Sequence, residues 1–100
     1  MARSRNYHDE LIKSLKDHEE AVAYLNTALE ESMKGDEESQ ELFLKALSNI
    51  AEAQGGLGHL AKKIRVRREN LYRILSPEGN PELKTFTSIL SALGFSLQVA

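Results

Sequence analysis

The chain has no cysteine and no tryptophan, only two prolines, and three tyrosines and three phenylalanines as its aromatic residues. Without cysteine, disulfides, thiolate metal ligands and thiol nucleophiles are excluded together, and a reducing compartment fits. No apolar run approaches the roughly 20 residues of a membrane span, and the polar start Met1-Ala2-Arg3-Ser4-Arg5-Asn6 lacks the hydrophobic stretch of a signal peptide. A cytoplasmic protein without membrane association is expected. At 100 residues, with 41% hydrophobic and 28% charged, the composition is that of one small globular domain. A chain of this size buries roughly 60–70% of its unfolded surface and needs no covalent staples.

Features that carry catalysis are also scarce. The histidines, His8, His18 and His59, fall in three different segments, none at ligand spacing with a carboxylate or a second histidine on one helix. Gly55-Gly56-Leu57-Gly58 is glycine-rich but lies between helical patterns, where a helix terminus and a close crossing account for it. The pairs Glu19-Glu20, Glu30-Glu31 and Glu37-Glu38 are sequence neighbours, which point about 100° apart on a helix and form no acid/base pair. A non-enzymatic protein with no metal and no cofactor is expected.

What is present is helical periodicity with clear punctuation, and the fold class reads as all-α. Asp9 to Lys16 is a short amphipathic segment with Leu11, Ile12 and Leu15 on one side; Asp17 stops it and caps the next helix, with Glu20 placed to reach back to the cap amide. That helix runs from His18 to Met33 and buries Ala21, Val22, Leu25, Ala28 and Leu29. Asp36 starts a third, with Phe43, Leu44, Leu47, Ile50 and Ala51 inward, ended by Gly55-Gly56. After a loop with Pro77 and Gly79, Asn80 as cap and Pro81 at the first helical position launch a last helix that buries Leu83, Phe86, Ile89, Leu90 and Leu93.

Between Leu57 and Ser76 the apolar spacing fits two short helices crossing sharply. Leu60, Ala61 and Ile64 form the inner face of the first, Val66 follows the turn, and Leu71, Ile74 and Leu75 form the inner face of the second: the spacing of a helix-turn-helix. Ala61 is small because the helices cross there. Arg65 stands at the turn, where glycine is usual because φ tends to be positive. The net charge of -2 is unevenly spread: residues 1–50 hold 6 Lys/Arg against 11 Asp/Glu, net -5, and residues 51–100 hold 7 against 4, net +3. From Lys62 to Arg73 six basic residues face only Glu69, a positive patch on the helix that such a motif presents to DNA.

The last segment, Phe95-Ser96-Leu97-Gln98-Val99, alternates apolar and polar and is the only strand-like run. With nothing to pair with in an all-helical fold, it either packs on the core as an extended tail or pairs with another chain, like or unlike.

These residues resemble a known family, the HigA-like antidote proteins of bacterial addiction modules, built on a Cro/phage-repressor helix-turn-helix. The resemblance is carried by Ala23-Tyr24-Leu25-Asn26, by Ala51-Glu52-Ala53-Gln54-Gly55-Gly56 leading into Leu60-Ala61, by Leu71-Tyr72-Arg73 with Leu75-Ser76-Pro77-Glu78-Gly79-Asn80-Pro81, and by Leu83-Lys84-Thr85 with Ala92-Leu93-Gly94. It implies a lambda-repressor-like helix-turn-helix domain over residues 37–100, including a short C-terminal strand, with an N-terminal helical extension over residues 1–36, the two forming one compact unit. It also implies a dimeric antitoxin that neutralises a small basic RelE/ParE-type toxin encoded by the adjacent gene and represses their operon.

The chain departs from the family pattern at the turn, where Ile64-Arg65-Val66 and Arg67-Arg68 replace the commoner Gly-Val/Leu and Ser-Arg, so Arg67 cannot cap the second helix as serine would. Arg68, Glu69, Asn70 and Tyr72 are the candidates for base edges of operator DNA; Lys62, Lys63, Arg65, Arg67 and Arg73 are the candidates for phosphates. Two of these have a local alternative: Glu69 pairing with Arg73, and Tyr72 lying over Pro77 in the core. Phe95, Leu97 and Val99 are expected to form a homodimer contact, and Glu19, Glu30 and Glu31 a toxin contact. A solitary repressor without a toxin, and a protein-binding module on the same scaffold, are the alternatives.

Overall fold

The computed structural model describes residues 2–99, with side chains from Asn6 onward. Six helices follow one another: α1 (Ala2–Ser14), α2 (His18–Ser32), α3 (Glu37–Ala53), α4 (Leu57–Ile64), α5 (Arg68–Ile74) and α6 (Leu83–Ala92). No strand occurs among the described residues, and no helix among them is long and apolar enough to cross a membrane. The all-α expectation holds.

The punctuation residues act as their chemistry dictates. The Asp17 carboxylate accepts the Glu20 amide at 3.1 Å, and Asp36 accepts the Ser39 amide at 2.7 Å, each satisfying one open donor of a helix start. Three helices then close in one way, through a residue of positive φ that lets the chain double back. Gly56 N–H donates to Ala51 C=O after α3, Val66 N–H to Ala61 C=O after α4, and Phe95 N–H to Leu90 C=O after α6, with Gly55 (φ 120°), Arg65 (φ 59°) and Gly94 (φ 90°) at the bends. Arg65 therefore occupies the left-handed position anticipated at the turn.

The buried stripes of α2 and α3 pack on each other, α1 rests on α3, and α4 bridges α3, α5 and α6. One core runs from Leu15 through Ala21, Leu47, Ile50, Leu60 and Leu71 to Leu93. It joins the N-terminal helices to the rest without a break. Phe43 and Phe86 meet in a tilted pair at 5.8 Å, tying α3 to α6. Asn49 is buried and donates its amide to the Tyr24 hydroxyl at 2.9 Å, so the one polar side chain deep in the α2/α3 contact is paired.

Several expectations are corrected. α1 begins at Ala2 rather than Asp9. The Glu20 side chain makes no bond back to its cap; it turns instead onto the α1/α2/α3 surface. The last helix starts at Leu83 with Glu82 as its cap residue, so Asn80 and Pro81 belong to the preceding loop, and Leu83, in the first turn, is 74% exposed rather than buried. Phe95–Val99 is an extended tail and not a strand, because no neighbouring strand offers it a ladder; Phe95 alone is anchored, stacked on His18 at 5.5 Å.

The loop carries one tight contact. A Cβ on Gly79 would collide with the Ile74 carbonyl, where the turn folds back on the end of α5 and Gly79 N–H donates to Ser76 C=O at 2.8 Å. Gly79→Ala is expected to cost about 1–3 kcal/mol, the scale of overpacking a tight site, measured by denaturant unfolding; an unchanged midpoint would show that the turn opens freely. The Ser39 amide holds the Asp36 carboxyl below its ordinary value. A group whose pKa is depressed on folding stabilises fully above its unfolded value and loses that contribution as pH falls through the folded one. Asparagine caps about as well as aspartate but does not titrate. Asp36→Asn is thus expected to leave the melting temperature at neutral pH nearly unchanged and to flatten its decline in acid, and parallel curves for the two proteins would exclude the cap as the source.

Candidate functional site

The α4/α5 pair has one apolar and one polar side, as the positions of its buried residues require. Leu60, Ala61 and Leu71 are buried at the crossing, leaving Lys62, Arg65, Arg67, Arg68, Glu69, Asn70, Tyr72 and Arg73 exposed on α4, the turn and α5. The structure therefore presents eight of the nine candidate nucleic-acid residues together on the outer side of this pair. Lys63 differs. It is exposed, but its ammonium donates to the Ala92 carbonyl at 3.4 Å, which directs it to the C-terminal end of α6, where a cation is favoured by the unpaired carbonyls.

Within α5 the side chains are organised rather than splayed. The Arg68 guanidinium lies 5.4 Å from the centre of the Tyr72 ring, and its Nη2 donates to the Tyr72 hydroxyl at 3.4 Å. That hydrogen bond, with the neighbouring Glu69 charge as a lesser cause, raises the Arg68 pKa above its ordinary value. Tyr72 is accordingly 50% exposed and turned toward Arg68, not lying in the core over Pro77. Arg73 donates through Nη2 to the Asn70 amide oxygen at 3.1 Å and makes no ion pair with Glu69. Both anticipated local alternatives are therefore replaced by other partners. Arg73 occupies one of the two lone pairs of the Asn70 oxygen and leaves its NH2 free, so the bond orients the amide without exhausting it.

Beside Arg68 lies a polar concavity of about 570 Å³ between α3 and the start of α4, walled by Lys45, Ser48, Glu52, Gly58, Arg68 and Tyr72. Lys45 adds a cation that sequence reasoning missed: it stands alone on α3, far from the Lys62–Arg73 run, and only the packing of α3 on α4 brings it near Arg68. Glu52 opposes an anion there, and His8 of α1 sits 3.2 Å from its carboxylate. Among the described residues no group of three or more histidines or carboxylates is placed to hold a metal ion.

The acidic candidates separate. Glu19 and Glu30 are exposed and eleven residues apart, so they share one outward face of α2. Glu31 lies one residue further round, pairs with Lys34 at 2.8 Å, and borders a groove between α1, α2 and α3 together with Glu20. The Glu31 hydrogen bond raises the Lys34 pKa above its ordinary value. Of the tail residues, Phe95 is half-buried, while Leu97 (52%) and Val99 are exposed at the rim of a second groove, about 460 Å³, on the other side of α2.

The molecule is thus all-helical among the described residues, with its basic residues gathered on the short helices α4 and α5 and its acidic residues on α2 and α3. A family model described as "Probable addiction module antidote protein" matches residues 7–100, and the chain belongs to that family. A protein of Haemophilus influenzae (strain ATCC 51907 / DSM 11121 / KW20 / Rd), named only as an uncharacterized protein, is 34% identical over 90 residues, covering 90% of this chain and 86% of the relative. No solved structure gives a significant match. Membership supports an antitoxin role and implies a toxin partner in general.

The left-handed Arg65 generates a test that separates folding from binding. An L-residue there costs about 1–2 kcal/mol, and glycine relieves this while adding unfolded-state entropy of about 0.5–1 kcal/mol. Arg65→Gly is expected to hold or slightly raise the thermal midpoint. A clear drop would mean that the side chain, rather than the backbone bend, stabilises the turn.

Proposed function

We propose that this chain is the antitoxin of a two-component addiction module: a HigA-like protein that neutralises a small basic RelE/ParE-type toxin encoded beside it and represses their operon as a homodimer. Residues 37–100 act as a lambda-repressor-like DNA-binding domain, with α4 and α5 as the helix-turn-helix, and residues 1–36 act as the toxin-facing extension. The observation that carries the DNA reading is the coincidence of the positive patch with the outer face of two crossing short helices whose inner faces are buried. A charge run on an arbitrary solvated face has no reason to select that face.

The roles follow from reach and chemistry. Arg68, Glu69, Asn70 and Tyr72 stand nearest the start of α5 and meet base edges in the major groove; guanine suits Arg68 and adenine suits Asn70. Lys62, Arg65, Arg67 and Arg73, joined by Lys45, neutralise phosphates and set the register. Lys63, tied to α6, contributes least of the nine. Leu97 and Val99, exposed on the tail and supported by Phe95, form the homodimer contact that a two-fold operator requires.

The test is binding to the protein's own promoter, followed by fluorescence anisotropy over a range of salt. An inverted repeat is expected, with half-sites about 10 bp apart or a multiple of that. Arg68→Ala should relax preference at one base position at a cost of about 1–3 kcal/mol. Lys62→Ala should weaken all sequences alike and lower the salt slope by about one, while Lys63→Ala leaves that slope nearly intact. Removing residues 95–100 should yield monomers in sedimentation and weaken operator binding. Equal affinity for promoter and random duplex at physiological salt would end the repressor reading.

A further inference from the structure

A groove between α1, α2 and α3 holds an apolar concavity of about 480 Å³ that no segment among the described residues fills. Its walls are built from i, i+4 pairs: Leu11 of α1 with Leu15 just past its end, Leu42 and Ala46 of α3, with Ala23 and Thr27 along α2. Alanines at 23, 28 and 46 keep it hollow, and Leu42 stands 56% exposed at its edge. Glu20 and Glu31 close the two ends. They lie eleven residues apart on one stripe of α2, which at 1.5 Å per residue separates them by about 16 Å. Among the described residues no cation lines the groove.

We infer that this groove is where the toxin docks, and that it receives an amphipathic helix of the partner: bulky apolar side chains between the alanines, and a lysine or arginine at each end, about eleven residues apart, meeting Glu20 and Glu31. The inference rests on the antitoxin reading and deepens it, moving the contact from the outward Glu19/Glu30 face to the adjoining hollow. A helix fits where a strand does not, because all three walls are helices that satisfy their own backbone groups and offer no edge for strand addition. Ridges of a helix enter such a trough at ordinary interaxial distances. The charge argues against a second copy of this chain as occupant. Its basic helix α5, with Arg67 at the cap, exposes Arg68, Glu69, Asn70, Tyr72 and Arg73 with no apolar row, α2 and α3 are both net acidic, and α1 already forms one wall of the groove. The tail cannot serve either, since it lies along the opposite side of α2. Glu31 is available at little cost: its pair with Lys34 is solvent-exposed and therefore weak, and a partner's cation replaces it.

The experiment uses the full chain and the purified product of the reading frame adjacent to its gene, with the dissociation constant measured by calorimetry. Ala23→Arg, at an exposed position, places a bulky charge in the trough, and the pair Glu20→Lys with Glu31→Lys reverses its ends. Each is expected to weaken binding by about tenfold or more and to leave promoter binding unchanged. The matched reversal Glu19→Lys with Glu30→Lys, identical in net charge but outside the groove, is expected to weaken it by no more than about threefold. Equal losses in the two double variants, or full affinity in Ala23→Arg, would overturn the groove while leaving the antitoxin reading intact. Loss of a homodimer in Ala23→Arg by sedimentation would give the groove to a second copy, and no binding by the unaltered chain would overturn the antitoxin reading and the groove with it.

Discussion

The burial of α3 on several sides is the constraint on which the rest depends. An ordinary surface helix hides one stripe, but α3 buries Phe43, Leu44, Ala46, Leu47, Asn49, Ile50 and Ala51, positions that extend around more than half its circumference. Such a helix is stable only when other elements wrap it, and α1, α2 and α4 all do. Its exposed remainder is divided between the two surfaces of interest. Leu42 contributes to the acidic groove, and Lys45, Ser48 and Glu52 line the polar concavity beside Arg68. The acidic half and the basic half are therefore two sides of one rigid rod, and neither surface keeps its shape if α3 shifts.

The second constraint is how the chain reverses between short helices. After α3, α4 and α6 the same backbone device is used, and two of the three bends take glycine as sterics demand. The third takes Arg65. A residue held at positive φ against its own preference persists where surrounding packing determines the conformation, here Leu60, Ala61 and Leu71 at the crossing. The strain places one more guanidinium beside the start of α5, at the turn that fixes the approach of that helix. Stability conceded for charge at one defined point is a pattern seen at functional sites.

Most of the interior was legible because it obeys one period. The stripes of α2, α3 and α6, and the small Ala61 at the crossing, follow from apolar residues spaced at three and four, a signal that tertiary packing reinforces. What escaped lies where local rules compete. Asn80-Pro81 is a sound helix start by composition, yet the turn pinned by Gly79 against Ile74 sets the chain direction, and the helix waits until Leu83. The alternation of Phe95–Val99 is a strand pattern without a partner, and the ladder, not the pattern, makes a strand. Arg68 prefers the Tyr72 face and Arg73 the Asn70 oxygen because those partners lie three and four residues away with flat or fixed acceptors, alternatives that charge pairing alone does not weigh. Lys45 and Glu20 needed the fold itself, since each joins its surface only through contacts between helices.

The contact of His8 with Glu52 ties α1 to the wall of the polar concavity. Among the described residues Glu52 is the only acidic group on the wall of the polar concavity beside Arg68, and its partner comes from α1, a helix that also contributes Leu11 to the wall of the acidic groove. A displacement of α1 at the groove would therefore also move the His8 ring away from Glu52, through one pair of side chains rather than through a change of fold. An exposed pair of this kind is energetically small, so it cannot act as a stiff switch between all-or-none states.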